Sequence, residues 1–177
     1  MRGARYHEAG HAVAAHHHGY TINSITATDE EWYTYWSRDH YGGPTDAWRE
    51  ACVTLAGQFA DDVAYWEEMR PEPWEEFLGE AEAVRELVEY GDEDMRDDHL
   101  YLLEHLEEMV PYSSWGDSLE ACYRQVVEDA RQLLTEYWSE VEAVARALEP
   151  TGTLDGAGFL RAVQEGARRE VESGPGA

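Results

Sequence analysis

The stretch "RYHEAGHAVAAHHHG", beginning at Arg5, limits what this chain can fold into more than any other segment. It is rich in alanine, lacks proline and closes on Gly19, a residue suited to the left-handed position after a helix, so it reads as a helix over residues 4–18. On a helix, His7 and His11 stand on one face about one turn apart, where their ring nitrogens can share one ion. Imidazole suits zinc, and two histidines on a rigid turn fix two corners of a tetrahedron. Glu8 projects beside such a site rather than into it, where it can take a proton from bound water and deliver it to a leaving amine. Ala9 and Gly10 are small, so another element can pack closely on the back of this helix. The β-like segment that follows is suited to form one wall of a cleft.

A catalytic zinc usually keeps three protein ligands and one open position, so a third donor must come from elsewhere. His18 lies seven residues beyond His11, about 10 Å along the axis at ~1.5 Å per residue, too far to join the same ion. His16, His17 and His18 instead suit the carbonyl end of the helix. Asp92, Asp94, Asp97 and Asp98 sit in an acidic loop and first turn ahead of a later helix. Aspartate there can cap the helix or ligate, and neighbouring residues can divide the two tasks. Cys52 and Cys122 stand far apart in helix-like stretches and read as small buried side chains, not as a zinc ribbon or a secreted disulfide framework.

Elsewhere the periodicity is mainly helical. "TINSITATDEEWYTYWSRDHYGGP" reads as one or two short strands, a hairpin beside the first helix. Thr45-Asp46 opens a second helix with apolar Trp48, Cys52, Leu55, Phe59 and Val63, ended by Pro71 and Pro73. A third helix is expected over 75–90 and a fourth with Leu100, Leu103, Leu106 and Val110, after an acidic loop from Gly91. "VPYSSWGDS" reads as a loop, followed by one long helix over 119–148 and a short closing helix containing Phe159, Leu160 and Val163. The expected fold is mainly α: one domain over 1–170, a metal-site half at 1–110 and a helical half at 118–165, with a disordered tail at 171–177.

Charge narrows the partners. With 38 Asp and Glu against 13 Arg, no lysine and a formal charge of −25, the surface repels nucleic-acid phosphates and anionic headgroups. Neutral or cationic peptides are the compatible partners. No run approaches the ~18 apolar residues of a membrane span, and no signal pattern opens the chain, so a cytoplasmic location is expected.

"RYHEAGHAVAAH" resembles the recurring Y-H-E-A-G-H-A motif of the peptidase domain of FtsH-type, ATP-dependent zinc metalloproteases. "CVTLAGQFADD" is similar to that family's following helix, with its L-x-G-x-x-A-acidic-acidic pattern, and "EDARQLLTEYWSEVEAVARALEPTGTLDGAGF" resembles its last helices. The three segments come in the family's order and cover most of residues 5–160. The resemblance implies His7 and His11 as zinc ligands and Glu8 as the catalytic glutamate. The family's third ligand is an aspartate ahead of a helix, which Asp98 matches best, with Asp94 and Asp97 as alternatives. Asp61 and Asp62 match an acidic pair that does not ligate directly. The stretch between Asp62 and Asp98 is longer than the family's connection, which brings Glu75, Glu76 and Glu80 into consideration as ligands. With no Walker motif, and no lysine to complete one, no ATPase module is expected.

The expected activity is that of a soluble, stand-alone zinc metallopeptidase cutting unstructured protein segments. The peptide would lie along an edge at Ile22–Thr28 or Trp32–Trp36, with Ile25, Thr26, Trp32, Tyr33 and Tyr35 as substrate contacts. The alternative is a non-catalytic, metal-binding regulator or adaptor on a peptidase scaffold. Homo-oligomers are compatible with either.

Overall fold

Small residues on the first helix decide how the chain packs. α1 (Arg2–His17) buries Ala9, Ala12, Val13, Ala14 and Ala15 completely. Its closest partner is α2 (Pro44–Trp66), which approaches so tightly at Gly10 that a Cβ there would run into the Ala56 carbonyl and the Ala60 side chain. The expectation of close packing behind Gly10 therefore holds. α1 ends at Gly19, whose φ of 87° only glycine adopts at little cost, while the Tyr20 N–H donates back to the Ala15 carbonyl at 2.9 Å. The computed structural model describes residues 2–38, 43–89, 98–112 and 118–173.

The hairpin forms from β1 (Thr21–Ala27) and β2 (Trp32–Ser37), paired antiparallel with an irregularity between Ile22 and Ser24. A third strand, β3 (Thr153–Asp155), pairs antiparallel with the other side of β1, giving the order β2-β1-β3. This strand went unread in the sequence because three residues carry no periodicity of their own. Its consequence is topological: β1 is enclosed on both sides, and among the described residues β2 is an edge.

α3 (Trp74–Glu89) and α4 (Asp98–Met109) follow, the latter running into a single 3-10 turn at Val110–Tyr112. The acidic loop expected from Gly91, and residues 113–117 of the later loop, lie outside the described residues. α5 (Leu119–Glu136) starts at Ser118, whose Oγ accepts the Ala121 N–H at 3.2 Å, an N-cap worth about 1 kcal/mol.

The single helix expected over 119–148 is two. Tyr137 breaks it with φ −113° and ψ 22°, and α6 (Trp138–Leu148) turns to pack on α1. Neither proline nor glycine marks the break. Tyr137 stacks on His17 with centroids 3.5 Å apart, and Glu140 of the next turn binds the same imidazole, so a contact with α1 sets the bend. α7 (Gly156–Ser173) is longer than the short closing helix expected and continues past residue 171, where a tail was placed.

One continuous core joins these elements, with Ile25, Phe59, Phe77, Leu103, Leu106, Leu134, Leu148 and Phe159 fully buried, each worth about 1.5–3 kcal/mol against exposure. Cys52 and Cys122 are free and buried in it, as their helix-like settings suggested. The molecule is thus mainly α with a small antiparallel sheet. Among the described residues no helix is long and apolar enough to cross a membrane.

Candidate metal centre

Helical spacing on α1 brings the Nε2 atoms of His7 and His11 to 3.0 Å from each other, with the rings at 87°. The first residue of α4 completes a triangle: Asp98 Oδ2 lies 3.0 Å from His7 Nε2 and 3.4 Å from His11 Nε2. Zinc bonds of about 2.0–2.1 Å at tetrahedral angles set neighbouring donors about 3.3 Å apart, so the triangle matches the donor spacing of one such ion. The second ring nitrogen of His11 fixes its tautomer. Nδ1 lies 2.8 Å from the Val53 carbonyl, which can only accept, so Nδ1 carries the hydrogen and the Nε2 lone pair faces the triangle.

Electrostatics favour a cation here. Burial alone would lower the His11 pKa, but the Asp98 and Glu8 carboxylates outweigh it and push it up to about 9. Burial would raise Asp98, yet the His11 and His7 imidazoles hold its carboxyl well below the usual carboxylate range. A proton and a metal ion thus compete for the same three atoms.

Glu8 also offers an oxygen near both histidines, within 4.8 Å. Asp98 is the better third donor: its Oδ2 stands 3.0 and 3.4 Å from the two nitrogens, while the Glu8 carboxylate is hydrogen-bonded to β2. Glu8 Oε2 accepts from Thr34 Oγ1 of β2 at 2.8 Å, and that hydroxyl also lies 3.1 Å from the Glu8 carbonyl. The side chain is buried, beside the triangle.

The α2 helix supplies the back of the site. A Cβ on Gly57 would overlap the His11 ring, so the imidazole fits against α2 only because that position has no side chain. Gly57 stands in the "LAGQFADD" segment quoted above, whereas Thr34 and the Val53 carbonyl left no sequence signal, because each matters only through a tertiary contact.

The triangle opens into a cleft of about 1070 Å³. β2 forms one wall with Trp32, Tyr33, Thr34 and Trp36, and α4 contributes Tyr101 and His105. Asp29 and Glu30 of the β-turn, with Glu50 and Thr54 of α2, complete the lining. Burial pushes the His105 imidazole down, against the opposing pull of Glu108 and Glu104.

The expected substrate contacts divide. Trp32 and Tyr33 line the cleft, whereas Tyr35 is exposed outside it. Ile25 and Thr26 are a correction: both are buried on the central strand, whose sides are taken by β2 and β3, so neither can meet an added strand. Asp94 and Asp97 lie outside the described residues. Glu75 and Glu76 occupy the exposed first turn of α3, and Glu80 stands beside His99 rather than the histidine pair. Of the acidic pair, Asp62 accepts the Arg70 N–H at 3.0 Å, and burial raises the Asp61 carboxyl against the pull of His7.

No protein-family model matches this chain, and no curated protein matches it.

Proposed function

We propose that the chain is a zinc-dependent peptidase that cuts extended, unfolded protein segments without ATP. The observation that carries this reading is the convergence of His7, His11 and Asp98 at 3.0–3.4 Å, with Glu8 tethered just outside by Thr34. Their two imidazoles and one carboxylate are a donor set suited to zinc. Bound there, zinc would polarise a scissile carbonyl and acidify water.

The chain's own residues do the rest. Glu8 takes one proton from the attacking water and returns it to the leaving amine nitrogen as the C–N bond breaks. Thr34 donates to Glu8 Oε2, which keeps that carboxylate from swinging into the triangle. The edge of β2, unpaired among the described residues, offers backbone groups to an extended peptide, with Trp32, Tyr33 and Trp36 as apolar subsites alongside. The resemblance of three segments to FtsH-type peptidase domains supports the same roles for His7, Glu8 and His11.

The test is Glu8→Gln, an isosteric change that removes the base but no ligand. Zinc content should stay at the wild-type level while cleavage of casein falls by about 10²–10⁴-fold or more. Equal cleavage by both proteins would remove the peptidase reading and leave a non-catalytic metal-binding role.

A further inference from the structure

We propose that Glu72, Glu80 and His99 form a second divalent-cation site, for zinc or a similar borderline ion, that ties α3 to the first turn of α4. The three residues come from three segments: the connection after α2, the α3 helix, and the position next to Asp98. Their ligand atoms lie within 4.8 Å of one another.

The distances separate a metal site from an ordinary ion pair. His99 Nε2 stands 3.3 Å from Glu72 Oε2 and 3.3 Å from Glu80 Oε2. One ring nitrogen carries one hydrogen and can serve one acceptor well, at about 2.7–3.2 Å. Both oxygens lie beyond that range, and the one contact with hydrogen-bond geometry, to Glu72 Oε1, is longer still at 3.5 Å. The two shorter distances do match the spacing of about 3.3 Å between donors that share one zinc-like ion.

The surroundings orient the donors in the way metal ligands are held. Gln58 Nε2 donates to Glu72 Oε1 at 3.2 Å and holds the carboxylate with both oxygens near His99 Nε2, Oε1 at 3.5 Å and Oε2 at 3.3 Å, and Oε2 is buried without a hydrogen-bond donor among the described residues. Tyr123 Oη donates to the Glu72 carbonyl at 3.1 Å and stacks on Phe77, whose ring backs the His99 imidazole at 6.2 Å. Glu80, half exposed, closes the open side. Imidazole with two carboxylates suits zinc, cobalt(II) and manganese(II) better than calcium.

The site lies in the stretch where this chain is longer than the FtsH-type connection, and it shares the first turn of α4 with the histidine-pair centre. An ion there fixes the turn that carries Asp98 from behind.

Zinc titration of the stripped full-length chain against a chromophoric chelator tests this. The wild type should take up two equivalents. Glu80→Gln and His99→Ala should each weaken the second equivalent by at least about tenfold while leaving the first in place. The double variant His7→Ala/His11→Ala should keep only the second equivalent, and with cobalt(II) show visible absorption that Glu80→Gln abolishes. Saturation of the wild type at one equivalent overturns the proposal. So does a second equivalent that survives both Glu80→Gln and His99→Ala, which would be an adventitious ion only. Glu80 is exposed on α3, so its variant keeps the test usable if His99→Ala does not fold.

Discussion

α1 and the residue that follows it carry five histidines with opposite fates at the two ends. At the amino end, His7 and His11 converge with Asp98 and face a cleft. At the carboxyl end, His16, His17 and His18 are absorbed into packing. His17 binds Glu140 at 2.7 Å and stacks on Tyr137, His16 meets the Phe159 ring edge-on, and His18 sits edge-on to Trp48. Residue type and helix are the same, so the neighbours decide. Where a carboxylate meets two imidazole lone pairs at once, the group seeks a cation. Where the rings meet a single carboxylate or aromatic faces, they pack half-buried against neighbouring elements.

Removing the carboxylate at each end sharpens that contrast and should give the largest effect. Asp98→Asn keeps the shape of the side chain but deletes a charged donor. Zinc affinity should drop by more than the ~10–100-fold that loss of an outer-shell partner costs. Glu140→Gln should leave zinc uptake unchanged and instead lower stability by about 1–3 kcal/mol, the range for disturbing a buried polar partner. Chelator competition and urea unfolding read the two quantities. Reduced zinc affinity in Glu140→Gln would erase the distinction between the ends.

A smaller effect tests how the amino end is shaped. Alanine is favoured over glycine inside a helix by about 1 kcal/mol, so Gly57→Ala should stabilise α2 if nothing opposed it. A Cβ there overlaps the His11 ring, and overpacking costs about 1–3 kcal/mol, so the clash should win. Gly79 on α3 is the control, because a Cβ there meets nothing within 4 Å. Gly79→Ala should raise the urea midpoint, while Gly57→Ala should lower it and weaken zinc binding by moving the His11 ring. Matching behaviour of the two variants would show that the imidazole does not depend on the bare backbone at Gly57.

The same contrast explains what the sequence disclosed. The opening helix, the hairpin and α2 through α4 were legible because their apolar spacing is local, and the His7–Glu8–His11 unit because helix geometry alone puts it on one face. Asp98 was legible only through resemblance, since nothing in its own turn says which of four neighbouring aspartates reaches α1. The cleft wall was half read: aromatic content marked β2, but which strand was the edge depended on Thr153–Asp155, late in the sequence. The break at Tyr137 depends on His17 in the same way. Thr34, Val53 and Gly57 act through contacts between elements, which spacing along one element cannot display.

The smallest effect is a pH slope of opposite sign at the two ends. Burial, with the charges of Arg49 and His17, pushes His18 down to about 4, below its ordinary 6.5, and Asp129 offsets little of this. Its Nε2 is buried without a hydrogen-bond partner among the described residues, which suits a neutral ring. As pH falls from about 6.5 to 4, the unfolded chain takes up the proton first, so stability drops over that window and levels off below it. His16 and His105, also lowered by burial, add to the same slope. For metal-free protein His11 works the other way: its contribution is full below about 6.5 and is lost as pH rises through about 9. His18→Phe keeps a ring against Trp48 but cannot be protonated. Urea midpoints of the metal-free variant should fall less steeply than those of the wild type between pH 6.5 and 4, with the alkaline limb unchanged. An unchanged acid limb would mean that His18 meets water readily when charged, and that the carboxyl end of α1 is looser than its packing implies.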